Sequence, residues 1–139
     1  MAERAGPMHT TTPPRLASLR LFVRDCVAAR DFYRDQIGLP LTADGSSQGW
    51  CTFDIGGLQL VVEAVGPDAP EDEQVLVGRF TGASFGAADI HAAYAELKQR
   101  GVFFAGPPEQ QAWGGWLATF EDPAGNGLQL VQFPSREGT

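Results

Sequence analysis

The residues able to do chemistry are few and poorly spaced for it. The 139-residue chain holds two histidines, His9 and His91, and two cysteines, Cys26 and Cys51. Gly82-Ala-Ser-Phe-Gly86 matches G-x-S-x-G, the nucleophile elbow of hydrolases, but that elbow is a strand-to-helix turn served by a later histidine. Ser84 falls mid-strand and no histidine follows His91, so the match is discounted. His91 sits in the first turn of a helix, on its polar side, where a solvated surface histidine is expected. His9 lies in the aperiodic run around Thr10-Thr-Thr-Pro-Pro14 and is read as incidental. Each cysteine has apolar neighbours, which reads as two buried thiols rather than a disulfide. Glu63 is a lone carboxylate: a general base on one reading, an exposed charge or a partner for Arg20 on the preferred one.

Binding chemistry is better represented. Trp50, Trp113 and Trp116 lie in or beside segments that alternate like strands. For any one tryptophan in a strand, core filling is the first expectation. Trp50 has the stronger claim to a pocket, because Cys51, Phe53 and Ile55 already supply the apolar face of its strand. Trp113 follows a long loop and suits a rim or lid, with a bulge expected at Gly114-Gly115. Trp116 shares parity with Ala118 and Phe120 and is assigned to the core. Gln59 and Gln129 occupy matching places in two similar segments, and an amide can orient a ligand by donating and accepting without charge.

Those two segments expose the organisation of the chain. Gly-Leu-Gln-Leu-Val occurs at Gly57–Val61 and again at Gly127–Val131. Upstream of each, a strand runs into a helix that an aspartate would cap, Asp25 in the first half and Asp89 in the second. Each helix ends at a glycine, Gly38 or Gly101. His91 corresponds to Val27 between the copies, which argues against a shared role. The chain therefore reads as a duplicated strand–helix–three-strand unit. The second copy is longer by the loop Gly106–Gln111, and the acidic, proline-rich 67–74 separates the halves.

The expected elements are strands at 16–23, 39–43, 50–55 and 58–65 and a helix at 26–37 in repeat one (16–66). Repeat two (75–134) has strands at 75–87, 102–105, 113–121 and 128–133 and a helix at 89–100. Residues 1–15 are a tail without buried apolar surface. Strand parity places Leu58, Leu60, Leu128 and Leu130 under the helices. It turns Arg20, Phe22, Trp50, Gln59, Val61, Glu63, Ser84, Gln129, Val131 and Phe133 toward a concave face suited to a small molecule.

Composition bounds the partners. At 43% hydrophobic residues, one domain of this length can bury a core. Seventeen acidic against ten basic residues give a net charge of −7, which argues against nucleic acid and anionic lipid. No apolar run is long enough to span a bilayer, and the start of the chain lacks an apolar signal stretch, so a cytoplasmic location is expected.

Two such units, with Asp122-Pro-Ala-Gly-Asn126 before the last strand and Asp31-Phe-Tyr33 in the first helix, resemble the vicinal oxygen chelate superfamily. That group includes glyoxalase I, bleomycin-resistance proteins and extradiol dioxygenases. The resemblance covers residues 16 to about 133. It implies an α+β fold of tandem βαβββ units, a curved, mostly antiparallel sheet with helices on its outer face, and a homodimer. Family enzymes hold a divalent metal at positions that map here to Ser18, Gln59, Gly82 and Gln129. A serine, two neutral amides and a glycine are poor ligands for a hard cation, so no metal, no cofactor and no catalytic residue is assigned. The expectation is a small-molecule-binding protein that uses Arg20, Phe22, Trp50, Gln59, Glu63, Trp113 and Gln129 for an aromatic or amphipathic ligand. A lyase, isomerase or dioxygenase-like enzyme with an atypical site is the alternative.

Overall fold

In the first half, alternation dictates the first strand. Leu21 and Val23 are buried while Ser18 and Arg20 are exposed along β1 (Ser18–Val23). Asp25 ends the strand and caps α1 (Cys26–Asp31), its carboxylate accepting from Ala28 N at 3.1 Å. The helix then widens into a π-helical stretch, Phe32–Ile37, closed by Gly38 at φ 91°, where Gly38 N and Leu39 N both donate to Tyr33 O. This is the first departure from the expected regular helix: the wider turn buries Phe32 as well as Tyr33, which a 3.6-residue stripe does not foresee. Next come β2 (Leu41–Gly45), shifted two residues from 39–43, then β3 (Trp50–Asp54) and β4 (Gln59–Ala64). Asp54 Oδ1 accepts from Gly57 N at 3.0 Å and helps close the β3–β4 turn. Residues 12–135 of this computed structural model are described; His9 and most of the expected tail lie outside them.

The linker differs from expectation. Residues 75–79 are not strand; a short helix, α2 (Glu71–Gln74), follows Pro70, and its Gln74 side chain ties Arg24 to the carbonyls of Gly66 and Ala69. The second half runs β5 (Phe80–Gly86), α3 (Ile90–Gln99), β6 (Phe103–Phe104), β7 (Glu109–Gln110), β8 (Trp116–Glu121) and β9 (Gly127–Gln132). Asp89 caps α3 through His91 N and Ala92 N. Two further corrections fall here. The loop 106–111 carries β7, which pairs with β8, and β8 begins at Trp116 rather than Trp113 because the Gly114-Gly115 step turns the chain.

Topology repeats with the sequence. One sheet has the order β1-β4-β3-β2, the other β5-β9-β8-β6 with β7 on β8; among the described strand pairs β1–β4 and β5–β9 are parallel and the rest antiparallel. An isolated bridge, Phe22 to Val77, ties the β1 edge of the first sheet to the segment that leads into β5. The helix-side faces of both sheets enter one core: Phe53, Leu60 and Val62 from the first meet Phe120, Leu128 and Leu130 from the second around Tyr33, Ile90 and Leu97. Of the four leucines expected there, Leu58 is the exception, half-buried in the turn before β4.

A buried polar network locks the halves together and explains the turn before the last strand. Asp122 Oδ1 accepts from the backbone of Ala124 and Asn126, and its Oδ2 takes Tyr33 OH at 2.8 Å from the first half. Asn126 is fully buried; it donates to Phe22 O at 2.8 Å and accepts from Gly78 N at 2.8 Å. Burial and the adjacent carboxylate push the Tyr33 hydroxyl well above its ordinary range, so it remains a donor.

Candidate functional site

The first sheet presents an uncovered face on which register brings the side chains together. Across β1, β4 and β3 the neighbours are Phe22, Glu63 and Trp50 in one row, Arg20, Val61 and Thr52 in the next, and Ser18, Gln59 and Asp54 in the third. Arg20 grips Glu63 with both forks, Nε to Oε2 at 2.6 Å and Nη2 to Oε1 at 2.9 Å, and lies 5.1 Å from the centre of the Phe22 ring. Hydrogen bonding to Arg20 holds the Glu63 carboxyl below its ordinary range, which makes it a weak base. Trp50 is 39% exposed, and its ring lies across Gly45 on the edge strand, where an added Cβ would fall 2.0 Å from it. Only glycine lets the ring lie there.

Gln129 sits on the uncovered face of the second sheet, beside Ser84 and Thr119, and donates to Thr119 Oγ1 at 3.1 Å. It lines a cavity of about 290 Å³ with Thr119, Leu117, Glu109, Gln111 and Pro107. Trp113 stands in the turn before β8, half exposed, its ring folded over Gly115 and 6.1 Å from Phe133. Val131, expected on the open face, is buried, and Phe133 lies beyond the strand and is exposed. Trp116 is half-buried on the helix side, edge-on to His91 at 4.8 Å. The structure thus gathers Arg20, Phe22, Trp50 and Glu63, places Gln59 farther along the same face, and leaves Gln129 on the other sheet and Trp113 in the turn before β8. Glu109, Gln111 and Thr119 were missed. For Thr119 the signal was present, since it has the opposite parity to Ala118 and Phe120; Glu109 and Gln111 were hidden in a stretch read as loop.

The positions where a metal is expected in this fold do not fit one. Ser18 and Gln59 are register neighbours; Gly82 sits at a register shift with φ 78° and offers no side chain. Among the described residues no three His, Cys, Asp or Glu side chains gather as a metal would require. Ser84 Oγ donates to the backbone carbonyl of Gly82 at 3.3 Å rather than to a basic side chain. Both cysteines are buried and free, and burial pushes the Cys51 thiol up to about 12, which removes them as nucleophiles.

Two tandem βαβββ halves with open sheet faces define the class, and comparison confirms it. Residues 15–130 match the family model of the Glyoxalase/Bleomycin resistance protein/Dioxygenase superfamily, and the chain belongs to that superfamily. The uncharacterized protein YurT of Bacillus subtilis (strain 168) is 32% identical over 121 residues, covering 81% of this chain and 94% of that protein. A superfamily member from Sphaerobacter thermophilus DSM 20745 superposes with a TM-score of 0.70 at 33% identity, covering 86% of this chain and 98% of that one. TnmS3, an antibiotic binding protein from Streptomyces sp. CB03234, superposes with a TM-score of 0.67 at 29% identity, covering 90% of this chain and 99% of that one. No helix among the described residues is long and apolar enough to cross a membrane.

Proposed function

We propose that this protein binds an aromatic or amphipathic small molecule on its open sheet faces without a metal and without turning it over. The observation that carries the reading is the donor set at the metal positions, a serine, two amides and a glycine, beside an aromatic face whose one arginine is neutralised by Glu63. An antibiotic-binding structural neighbour supports it. The enzyme alternative loses its candidate base, because Glu63 is engaged with Arg20 and held below its ordinary range. Protein purified after expression in metal-supplemented medium is expected to hold no stoichiometric zinc, manganese, iron or nickel. One metal per chain by elemental analysis, lost on mutating Gln59 or Gln129, refutes the reading.

Trp50 and Phe22 supply flat apolar area, and Gln59 and Gln129 supply the polar anchors. Each open face leaves its ligand half in water, and a second copy of the chain would complete the enclosure. The functional unit is therefore a homodimer, and sedimentation velocity should show twice the chain mass. In a thermal-shift and tryptophan-fluorescence screen of aromatic natural products, hits should weaken by about tenfold, roughly 1.4 kcal/mol, in Trp50→Ala and in Gln59→Leu. Equal binding to both variants, or consumption of the hit on incubation, sinks the proposal.

A further inference from the structure

On the side of the sheets away from the open face lies a second candidate site. Between the π-helical end of α1, the end of β5 and α3 is a cavity of about 460 Å³, walled by Ile37, Leu39, Phe85, Leu97, Phe120 and Leu130. A neighbouring cavity of about 310 Å³ shares Leu39, Phe85 and Gly86 with it and continues between the halves past Leu19, Ile55 and Leu60. The two lie side by side across that shared wall, and the larger forms an apolar cleft.

The cleft has a cause in the sequence. Between Phe85 at the end of β5 and Leu97 on α3, the lining residues Gly86, Ala87 and Ala93 are too small to fill the space. Ile37, Leu39 and Phe85 consequently remain half-buried although they pack on the core. The volume of the cleft falls within the range of ligand cavities, which run from roughly 300 to 1,000 Å³. The only charged side chains on either lining are Glu96 and Arg100. They pair with each other, and Arg100 also donates to Gln36 O at 3.1 Å, so the rim offers no unmatched charge. A charged ligand would lose its hydration in the cleft without gaining a partner.

We propose that this cleft binds an uncharged, elongated lipophile such as a medium-chain alcohol, its apolar body against Leu39, Phe85 and Leu97 and its polar end at the Glu96–Arg100 rim. The site is independent of the open-face reading and stands whether or not that reading survives. The test uses the uncharged fluorescent probe N-phenyl-1-naphthylamine, displaced by 1-decanol, on the full chain. Saturable binding should persist in Trp50→Ala, which removes the open-face aromatic, and should weaken by about tenfold or more in Ala93→Phe and in Ala87→Leu, which fill the cleft. Circular dichroism confirms that each variant is folded. Independently of any variant, 1-decanol should shift the methyl resonances of Leu39, Leu97 and Leu130 in the natural sequence. Unshifted methyls, binding unchanged by both filling variants, or binding lost only in Trp50→Ala would each overturn the proposal. So would a change of association state in Ala93→Phe, because the cleft would then be an interface between copies.

Discussion

Asn126→Leu is expected to lower the unfolding midpoint by roughly 10 °C or more, through a loss of about 3 kcal/mol or more of stability. The side chain is fully buried and serves both halves at once, donating to Phe22 O and to Asp122 and accepting from Gly78 N. Leucine approximates its volume but strands the part-buried Gly78 N and Phe22 O and withdraws a donor from the buried Asp122 side chain, each at a cost of up to about 1–3 kcal/mol. The Asp122 carboxylate then keeps only Tyr33 and two backbone amides. Tyr33→Phe should cost less, about 1.5–3 kcal/mol, because it deletes a single hydrogen bond to a charged group. Chemical denaturation of the two single variants and the double variant measures the coupling; simple additivity would show that Tyr33 and Asn126 do not act as one network.

The other large effect belongs to the repeated leucines. Leu60→Ala and Leu130→Ala should each destabilise the fold by roughly 2–5 kcal/mol, since truncation in a core loses burial and leaves a cavity. Leu60 is 1% exposed and Leu130 5% exposed, and they occupy equivalent places in β4 and β9, flanked on the opposite face by Gln59 and Gln129. Gln59→Leu on the open face serves as the contrast and should change the midpoint little, because Gln59 is exposed and its side chain packs into no core. A negligible shift for both leucine variants would mean that the faces are reversed and that the glutamines cannot line a site.

Local patterning carried a large part of this protein. The two glycine–leucine–glutamine copies, the capping aspartates Asp25 and Asp89 and the alternation of β1, β4 and β9 each depend on neighbours within a few residues. They were enough for the duplicated α+β fold and for the dry side of β1 and β4, though not for all of β9, where Val131 is buried on the side expected to be open. The superfamily needed in addition the resemblance carried by Asp122–Asn126 and Asp31–Tyr33. The absence of anionic or imidazole donors at Ser18, Gln59, Gly82 and Gln129 was equally readable, because it is a matter of residue type. The tertiary structure decided the rest. That Arg20 would spend its charge on Glu63 depends on β1 lying parallel to β4, 43 residues on. That Asn126 would hold Phe22 O depends on the docking of the halves, across 104 residues. The resting places of Trp50 over Gly45 and of Trp113 over Gly115 follow from backbone approach, which no side-chain period reports. Even the apolar cleft beside α3 is written as three small residues, Gly86, Ala87 and Ala93, whose meaning appears only when β5, α3 and the widened end of α1 meet around them. Periodicity tells a chain which of its faces must be buried; what each face is buried against is set by contacts between segments far apart in sequence, whose energies no local pattern contains.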